Sequence, residues 1–216
     1  MKTNKKFLGV MVILAAVALA PAANATVCTT TDCTYTFDTT AVSAFGAGPF
    51  GTVELTLVGS LIDFSIKLAP GFTLIDTGTH EAFTFNDTLT GGVTISAISS
   101  ATYTQGTGPF NNPGFSTFTD GLISTTCTNG GGCGSNTLTF DVSRTGGFTS
   151  VQQLVALSTG AGTAAYFSAD VALNGATGTI GVSTAPTPSV PEPITSALVG
   201  AGLIGLAFVH RRRPSK

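Results

Sequence analysis

Three acid–base side chains lie close together at Asp76, His80 and Glu81. A histidine beside carboxylates could transfer protons or help to hold a metal ion. A turn around Thr77-Gly78 whose polar side chains face water explains the same pattern without chemistry, and we favour that interpretation. His80 is the only histidine between residues 26 and 185, and the sequence contains no G-x-S-x-G, HExxH or phosphate-loop motif. We therefore predict no enzyme, no catalytic residue, no metal site and no cofactor.

Aromatic and amide side chains are interleaved between Tyr103 and Phe118. Phe110, Phe115 and Phe118 alternate there with glycines, prolines and two asparagines. Aromatic rings stack on the apolar faces of sugars and amides bind sugar hydroxyls, so this loop is a candidate for glycan contact. A long loop can also fold its phenylalanines over the open end of a sheet merely to cover the core, and the sequence leaves both interpretations open.

Four cysteines allow three disulfide pairings. Their spacing forms two close pairs and favours Cys28 with Cys33 and Cys127 with Cys133. A zinc site would need a C-x2-C spacing or nearby histidines, and neither is present. The cysteines therefore predict disulfides in an oxidising compartment.

The charge of the chain is distributed unevenly. Between residues 26 and 190 there are ten acidic side chains and only two basic ones, Lys67 and Arg144. This balance argues against nucleic acid as a partner, because phosphates need lysine and arginine for neutralisation. Neutral sugars, divalent cations or further copies of the protein remain as partners, and the absence of a D-x-D-x-D-G loop leaves calcium binding undecided.

Alternating apolar and polar residues predict half-buried strands along most of this region. The clearest case is Leu61 to Leu68, where Ile62, Phe64, Ile66 and Leu68 point to one side. Further strand-like segments are Tyr35 to Phe37, Val53 to Leu57, Ala82 to Phe85, Val93 to Ile98, Leu138 to Val142, Tyr166 to Leu173 and Thr177 to Val182. Many short strands separated by glycine-rich turns predict an all-β, antiparallel, sandwich-like domain.

Two local signals qualify this pattern. Asn174-Gly175 favours a tight hairpin turn between the last two strands, although Ala176 leaves the loop length open. Val151 to Leu157 is a short helix candidate, with Ser150 available as its N-cap.

The first 25 residues resemble a signal peptide. Lys2, Lys5 and Lys6 precede an apolar run from Phe7 to Ala20, which ends at Pro21 and the small-residue step Ala23-Asn24-Ala25. The run is about 21 Å long as a helix, which is short for a permanent membrane span. We expect a signal peptidase to cleave after Ala25.

A second apolar segment lies near the other end, from Ile194 to Val209, and Arg211, Arg212 and Arg213 follow it almost at once. By the positive-inside rule these arginines stay in the cytoplasm and the body of the protein lies across the inner membrane. The segment is about 24 Å long and glycine-rich, so it predicts a marginal, temporary transmembrane helix.

Pro191, Glu192 and Pro193 stand directly before that segment. The ordered series of Pro-Glu-Pro, apolar span and arginine cluster resembles the PEP-CTERM sorting domain of Gram-negative bacteria. The resemblance covers only the C-terminal tail. It implies that an integral-membrane exosortase recognises the tail, cleaves near Pro-Glu-Pro and passes the protein outward, usually in organisms that make extracellular polysaccharide.

Together these features predict five regions: a signal peptide 1–25, a β-rich extracellular domain 26–185, a proline-rich linker 186–193, a transmembrane segment 194–209 and a basic cytoplasmic tail 210–216. The expected function is a cell-surface or matrix protein, structural or adhesive in a polysaccharide or biofilm context. The alternatives are a carbohydrate-binding module and a secreted glycan hydrolase.

Overall fold

The computed structural model describes residues 28–78, 80–124, 126 and 134–186. Several predicted features lie outside these ranges: the signal peptide 1–25, the linker beyond Pro186, the transmembrane segment 194–209, the basic tail 210–216, Cys127 and Cys133. No helix in the described ranges is both long and apolar enough to cross a bilayer.

Short strands make up most of the regular structure. They are β1 Asp32–Phe37, β2 Thr39–Thr40, β3 Gly51–Val58, β4 Leu61–Leu68, β5 Thr73–Leu74, β6 Phe83–Phe85, β7 Thr94–Ser96, β8 Tyr103–Gln105, β9 Phe110–Asn112, β10 Ser116–Phe118, β11 Asp120–Ser124, β12 Thr137–Ser143, β13 Phe167–Leu173 and β14 Ala176–Val182. Two 3-10 helices, Ser43–Phe45 and Val151–Leu154, complete the regular elements of the described chain.

The strands form two larger antiparallel sheets and a small hairpin. The first sheet has the order β1-β3-β4-β12-β7, and the second has the order β2-β14-β13-β6-β11-β8, with β5 pairing the later part of β13. Strands β9 and β10 pair with each other, and Thr117 of β10 also forms an isolated antiparallel bridge with Thr159. The prediction of an all-β antiparallel domain is confirmed.

Alternation explains why these segments are strands. In β4 the side chains of Ile62, Phe64 and Ile66 are buried, whereas Ser65 and Lys67 are exposed. Successive side chains of a strand point to opposite faces, so this pattern gives the strand one core face and one outer face. The bounds of β4 are those that the sequence pattern indicates.

The core lies between the two larger sheets. Phe64 of the first sheet contacts Phe85 and Phe83 of the second, with ring centroids 5.2 Å and 5.9 Å apart. Phe140, which is paired with Phe64 across β12 and β4, stacks on it at 4.8 Å. Aromatic rings bury large apolar areas, so this layer of rings holds the sheets face to face in a sandwich-like arrangement.

The predicted hairpin turn is tight. Leu173 pairs with Ala176, which leaves Asn174 and Gly175 as a two-residue loop. Both loop residues have positive φ, at 50° and 84°, and a type I′ turn requires this. The loop length that the sequence left open is therefore two.

The predicted helix is shorter than expected. It ends at Leu154 instead of Leu157 and is a single 3-10 turn. Ser150 caps it as predicted: its hydroxyl accepts from the Gln152 amide, and Gln153 accepts from the Ser150 amide. Because Val151 and Leu154 are buried, the turn is held by packing more than by its own hydrogen bonds.

Candidate functional site

Strand β13 carries a buried carboxylate that points away from the core. Phe167, Ala169 and Val171 of this strand pack into the core, so Ser168 and Asp170 point to the outer face of the second sheet. Both outer residues are nevertheless fully buried, at 0% exposure. The segment after β5 and the β9–β10 hairpin supply the groups that contact them.

Asp170 is the centre of a polar cluster that we define as Asp76, Thr77, His80, Glu81 and Asp170. The Thr77 amide and hydroxyl both donate to Asp170 Oδ2, at 2.8 Å and 2.6 Å. His80 Nδ1 lies 3.5 Å from the other oxygen, Oδ1. The His80 side chain keeps 28% exposure, so the cluster reaches solvent through this ring.

Asp76 and Glu81 are tied to neighbouring strands in different ways, Asp76 through its carboxyl group and Glu81 through its backbone amide. Asp76 Oδ2 accepts a short hydrogen bond from the Ser124 amide, and the Asp76 side chain is buried. The backbone amide of Glu81 donates to Asn112 Oδ1 at 2.9 Å. The expectation that the polar residues of this turn face water is therefore wrong for Asp76, because β11 covers it.

Burial dominates the acid–base properties of the cluster. It raises the pKa of Asp170 above its usual range, and the hydrogen bonds from Thr77 and the nearby His80 offset part of the rise. Burial also raises the pKa of Asp76 and of Glu81, and for Glu81 the charges of Asp76 and Asp170 add to the effect. Removing carboxylates from water disfavours their charged form, so this site holds protons more readily than free carboxyls do.

The geometry resembles the orienting half of an acid–base pair, in which a buried carboxylate holds a histidine through Nδ1. The Thr77 hydroxyl, however, donates to Asp170 and not to His80. The described residues also contain no group of three or more acidic, histidine or cysteine side chains arranged to hold a metal ion.

Asn112 links the cluster to the aromatic loop. Its amide nitrogen donates to Ser168 Oγ at 2.5 Å and to Thr84 Oγ1 at 3.2 Å, and all three residues are buried. The loop that starts in β9 is thus fixed by polar contacts on the outer face of β13 and β6. Alternation along β13 predicts that Ser168 and Asp170 face solvent, so the sequence pattern does not indicate that Asp170 is buried.

The three loop phenylalanines cover that outer face. Phe110, Phe115 and Phe118 are 4%, 1% and 0% exposed and form a second apolar cluster with Ala165. Phe115 lies against Gly181, where a Cβ atom would come within 2.6 Å of the ring. The three buried rings therefore cover the sheet, which is one of the two roles that the sequence left open. None of them presents a free face to a sugar in this structure.

The structure pairs Cys28 with Cys33 in a disulfide, which agrees with the favoured pairing. Cys33 lies in β1 and belongs to the core, while Cys28 is half-buried at the start of the described chain. The disulfide therefore ties the first described residues to the edge of the first sheet.

Two carboxylates face each other on the outer face of that sheet. Asp63 of β4 is the direct cross-strand partner of Asp141 of β12. Desolvation and the Asp141 charge raise the pKa of Asp63. The two carboxylates are therefore neighbours on the outer face of the first sheet.

Arg144 is engaged in local contacts. Its Nη1 lies 3.5 Å from Asp87 Oδ2, its Nη2 donates to the Thr90 carbonyl at 2.6 Å, and the guanidinium lies over the Phe148 ring at 5.9 Å. Lys67 is the other basic residue of the body and is exposed on β4. These contacts connect Arg144 to the loop around residue 90.

Comparison with known proteins identifies the tail. A family model described as the PEP-CTERM protein-sorting motif matches residues 189–213. The match includes Pro191, Glu192 and Pro193 and extends through Arg213. It marks an exported protein that is sorted at the membrane toward the cell surface and processed by an exosortase. The chain matches no curated protein and no solved structure.

Proposed function

Because residues 189–213 are a PEP-CTERM protein-sorting motif, we propose that the β-rich body is a non-enzymatic structural or adhesive component of the extracellular polysaccharide layer. In this proposal a signal peptidase removes residues 1–25 and the tail anchors the chain transiently in the inner membrane. The exosortase then cleaves near Pro191–Pro193 and the body joins the surface layer.

The sorting motif is the observation that carries the proposal, and the character of the body agrees with it. An acidic, disulfide-bearing β-domain suits an oxidising exterior. Its aromatic core and the second apolar cluster on the outer face are closely packed. Such packing gives a rigid domain that can present contacts on its surface.

A secreted hydrolase is the competing function, and the His80–Asp170 pair is the observation that favours it. A hydrolase would need a nucleophile or an activated water beside His80. Replacing His80 with alanine tests this directly: loss of any polysaccharide-degrading activity of the exported protein would support the hydrolase and contradict our proposal.

The sorting step is tested in the producing cell with two tail variants. One lacks residues 191–216, and the other replaces Pro191, Glu192 and Pro193 with alanine while keeping the apolar segment and the arginines. Mass spectrometry of the mature C-terminus and surface protease accessibility are measured for both. We expect the wild type to lose its tail, the deletion to lose its normal retention, and the alanine variant to keep its tail in the membrane.

A control variant changes the linker outside the motif, with Pro186 and Pro188 replaced by alanine. We expect it to be processed like the wild type. Unchanged mature mass and location in the triple-alanine variant would refute exosortase sorting through Pro191–Pro193.

A further inference from the structure

An open cleft lies beside the disulfide at one end of the body. Its walls include Tyr35 of β1, Gln152 of the second 3-10 helix, Tyr166 at the start of β13, Cys28 and Pro186. Its volume is about 270 Å³, which is close to the lower end of ligand pockets, about 300 Å³. It is thus large enough for a single small ligand unit.

The walls of this cleft are held in place by the fold. The Tyr166 amide donates to the Val182 carbonyl at 2.8 Å, and the disulfide fixes Cys28 to Cys33. The Val151 amide donates to the Thr30 carbonyl at 2.9 Å, which joins the helix carrying Gln152 to the first described loop. Walls that are already ordered lose little freedom on binding a ligand.

The two tyrosines form one aromatic wall. Their ring centroids are 5.9 Å apart, with planes tilted by 44°. Tyr35 also packs edge-on against Phe167 at 5.0 Å, which anchors its ring in the core. Tyr166 is only half-buried, so part of its ring is open to the cleft.

Tyr35 lines the cleft, and its hydroxyl is not among the enclosed polar atoms that lack a hydrogen-bond partner in the described part of the chain. A tyrosine combines an apolar ring with a hydroxyl that can donate a hydrogen bond, so Tyr35 can offer a donor to a ligand oxygen in the cleft. Burial and the neighbouring Tyr166 raise the pKa of Tyr35 to about 12, which keeps the hydroxyl protonated and able to donate.

The chemistry of the walls selects the ligand class. None of the described residues that line the cleft is charged, in a body that is strongly acidic. An aromatic wall, a neutral hydroxyl and the exposed amide of Gln152 fit a ligand with one apolar face and several hydroxyls. A neutral sugar ring has this combination, whereas an anion or cation would find no partner charge there.

We propose that the Tyr35–Tyr166 cleft binds one neutral sugar unit, with a sugar face against Tyr166, a sugar oxygen accepting from Tyr35 and a hydroxyl bound by Gln152. The role of this sugar site in the polysaccharide layer rests on the proposed function, because the site would supply the contact that retains the body in that layer. It moves glycan recognition from the phenylalanine loop to the cleft beside Tyr35 and Tyr166.

Binding is measured on the exported wild-type protein by calorimetry and by intrinsic fluorescence. The chain has no tryptophan and three tyrosines, two of which line the cleft, so the emission reports on the site. The probes are neutral oligosaccharides of glucose, galactose and mannose, an oligomer of galacturonic acid as the anionic counterpart, and a synthetic peptide with the sequence of residues 186–193.

We expect neutral oligosaccharides to bind and the galacturonic acid oligomer to bind more weakly. Tyr166→Ala should weaken binding about tenfold through the lost ring face. Tyr35→Phe, which removes a single oxygen and keeps the core ring, should weaken it about fivefold through one lost hydrogen bond. The matched control is Tyr103→Phe, because its hydroxyl donates to the Leu74 carbonyl at 2.9 Å outside the cleft, and this variant should bind like the wild type.

The proposal is overturned if no neutral oligosaccharide binds, if the anionic oligomer binds more tightly, or if Tyr35→Phe and Tyr166→Ala leave binding unchanged. Peptide binding that both variants abolish, without sugar binding, would assign the cleft to the proline-rich linker of the chain itself and would also overturn it. Surface sorting is scored separately: tail processing should be normal in Tyr166→Ala, so failure of the sugar site and failure of the sorting proposal give different results.

Discussion

The Nδ1 atom of His80 lies 3.5 Å from Oδ1 of Asp170, a carboxylate that is fully enclosed by protein. Thr77 binds the second oxygen of the same carboxylate through two hydrogen bonds. A buried charge is tolerated in a fold only when such partners surround it. Asp170 is therefore the residue that joins the segment after β5 to the outer face of β13.

Replacing Asp170 with alanine should destabilise the body by about 3 kcal/mol, because the Thr77 amide and hydroxyl would lose their acceptor inside the protein. Asp170→Asn keeps an acceptor oxygen and removes the buried charge, so its cost should be much smaller. Urea denaturation followed by circular dichroism measures both. Equal destabilisation by the two variants would contradict a hydrogen-bonding role.

The same cluster should make stability depend on pH. An acid whose pKa is higher in the folded state than in the unfolded state binds more protons when folded, so folding is favoured as the pH falls. The pKa values of Asp76, Glu81 and Asp170 are all raised by burial. The destabilisation caused by keeping these three buried carboxyl groups charged should be present at neutral pH. It should fade as the pH falls toward the ordinary carboxyl pKa range near about 4.

The comparison of wild type with Asp170→Asn isolates the part due to Asp170. The unfolding free energy of the wild type relative to this variant should rise as the pH is lowered, because only the wild type gains a proton at this position. A difference that is constant across the range would show that Asp170 does not titrate with a raised pKa.

Replacing Asp63 with asparagine should stabilise the body slightly. Asp63 and Asp141 are direct cross-strand partners, and like charges in this position repel. The pair lies on the outer face of the sheet and is screened by solvent, so the gain should be only about 0.3 kcal/mol. Thermal melting at low ionic strength is the measurement.

Asp141→Asn should give a similar gain, and the double variant should gain less than the sum, because either change alone removes the repulsion. Thr139→Asn, a substitution at an exposed position of β12, is the control for the effect of asparagine itself. Strictly additive gains would mean that the two carboxylates do not interact.

Replacing Gly181 with alanine should destabilise the body by about 2 kcal/mol, because the new Cβ would come within 2.6 Å of the Phe115 ring. In a Phe115→Leu background the same substitution should cost less, since the planar ring is gone. Chemical denaturation of the four proteins gives the coupling. Equal costs in both backgrounds would show that Phe115 does not pack on Gly181.

Local pattern was enough to predict much of the fold. The alternation of Leu61–Leu68 indicates both the bounds of β4 and its core face, because the two faces of a strand follow directly from side-chain direction. Ser150 as a helix cap and Asn174-Gly175 as a turn are equally local, since their hydrogen bonds and φ angles involve only neighbours in sequence.

The candidate sites were less predictable. Asp76 and His80 stand out in sequence as acid–base residues, but Asp170 lies in β13 and Asn112 in β9, both distant from them along the sequence. The aromatic residues of the loop stand out in the sequence, but their role does not. Phe115 is buried because Gly181 of β14 has no side chain at the place where the ring packs. Tyr35 and Tyr166 meet only because β1 and β13 belong to sheets that close on one another.

The amino-acid sequence by itself determined the β-class of the body, its acidic charge and the sorting motif at residues 189–213, since each depends on composition or on order along the chain. Only the tertiary structure decided that the outer face of β13 is covered, that Asp63 faces Asp141, and that an uncharged cleft forms beside Tyr35. These are contacts between segments distant in sequence, and a strand pattern specifies which way a side chain points without specifying what will lie against it.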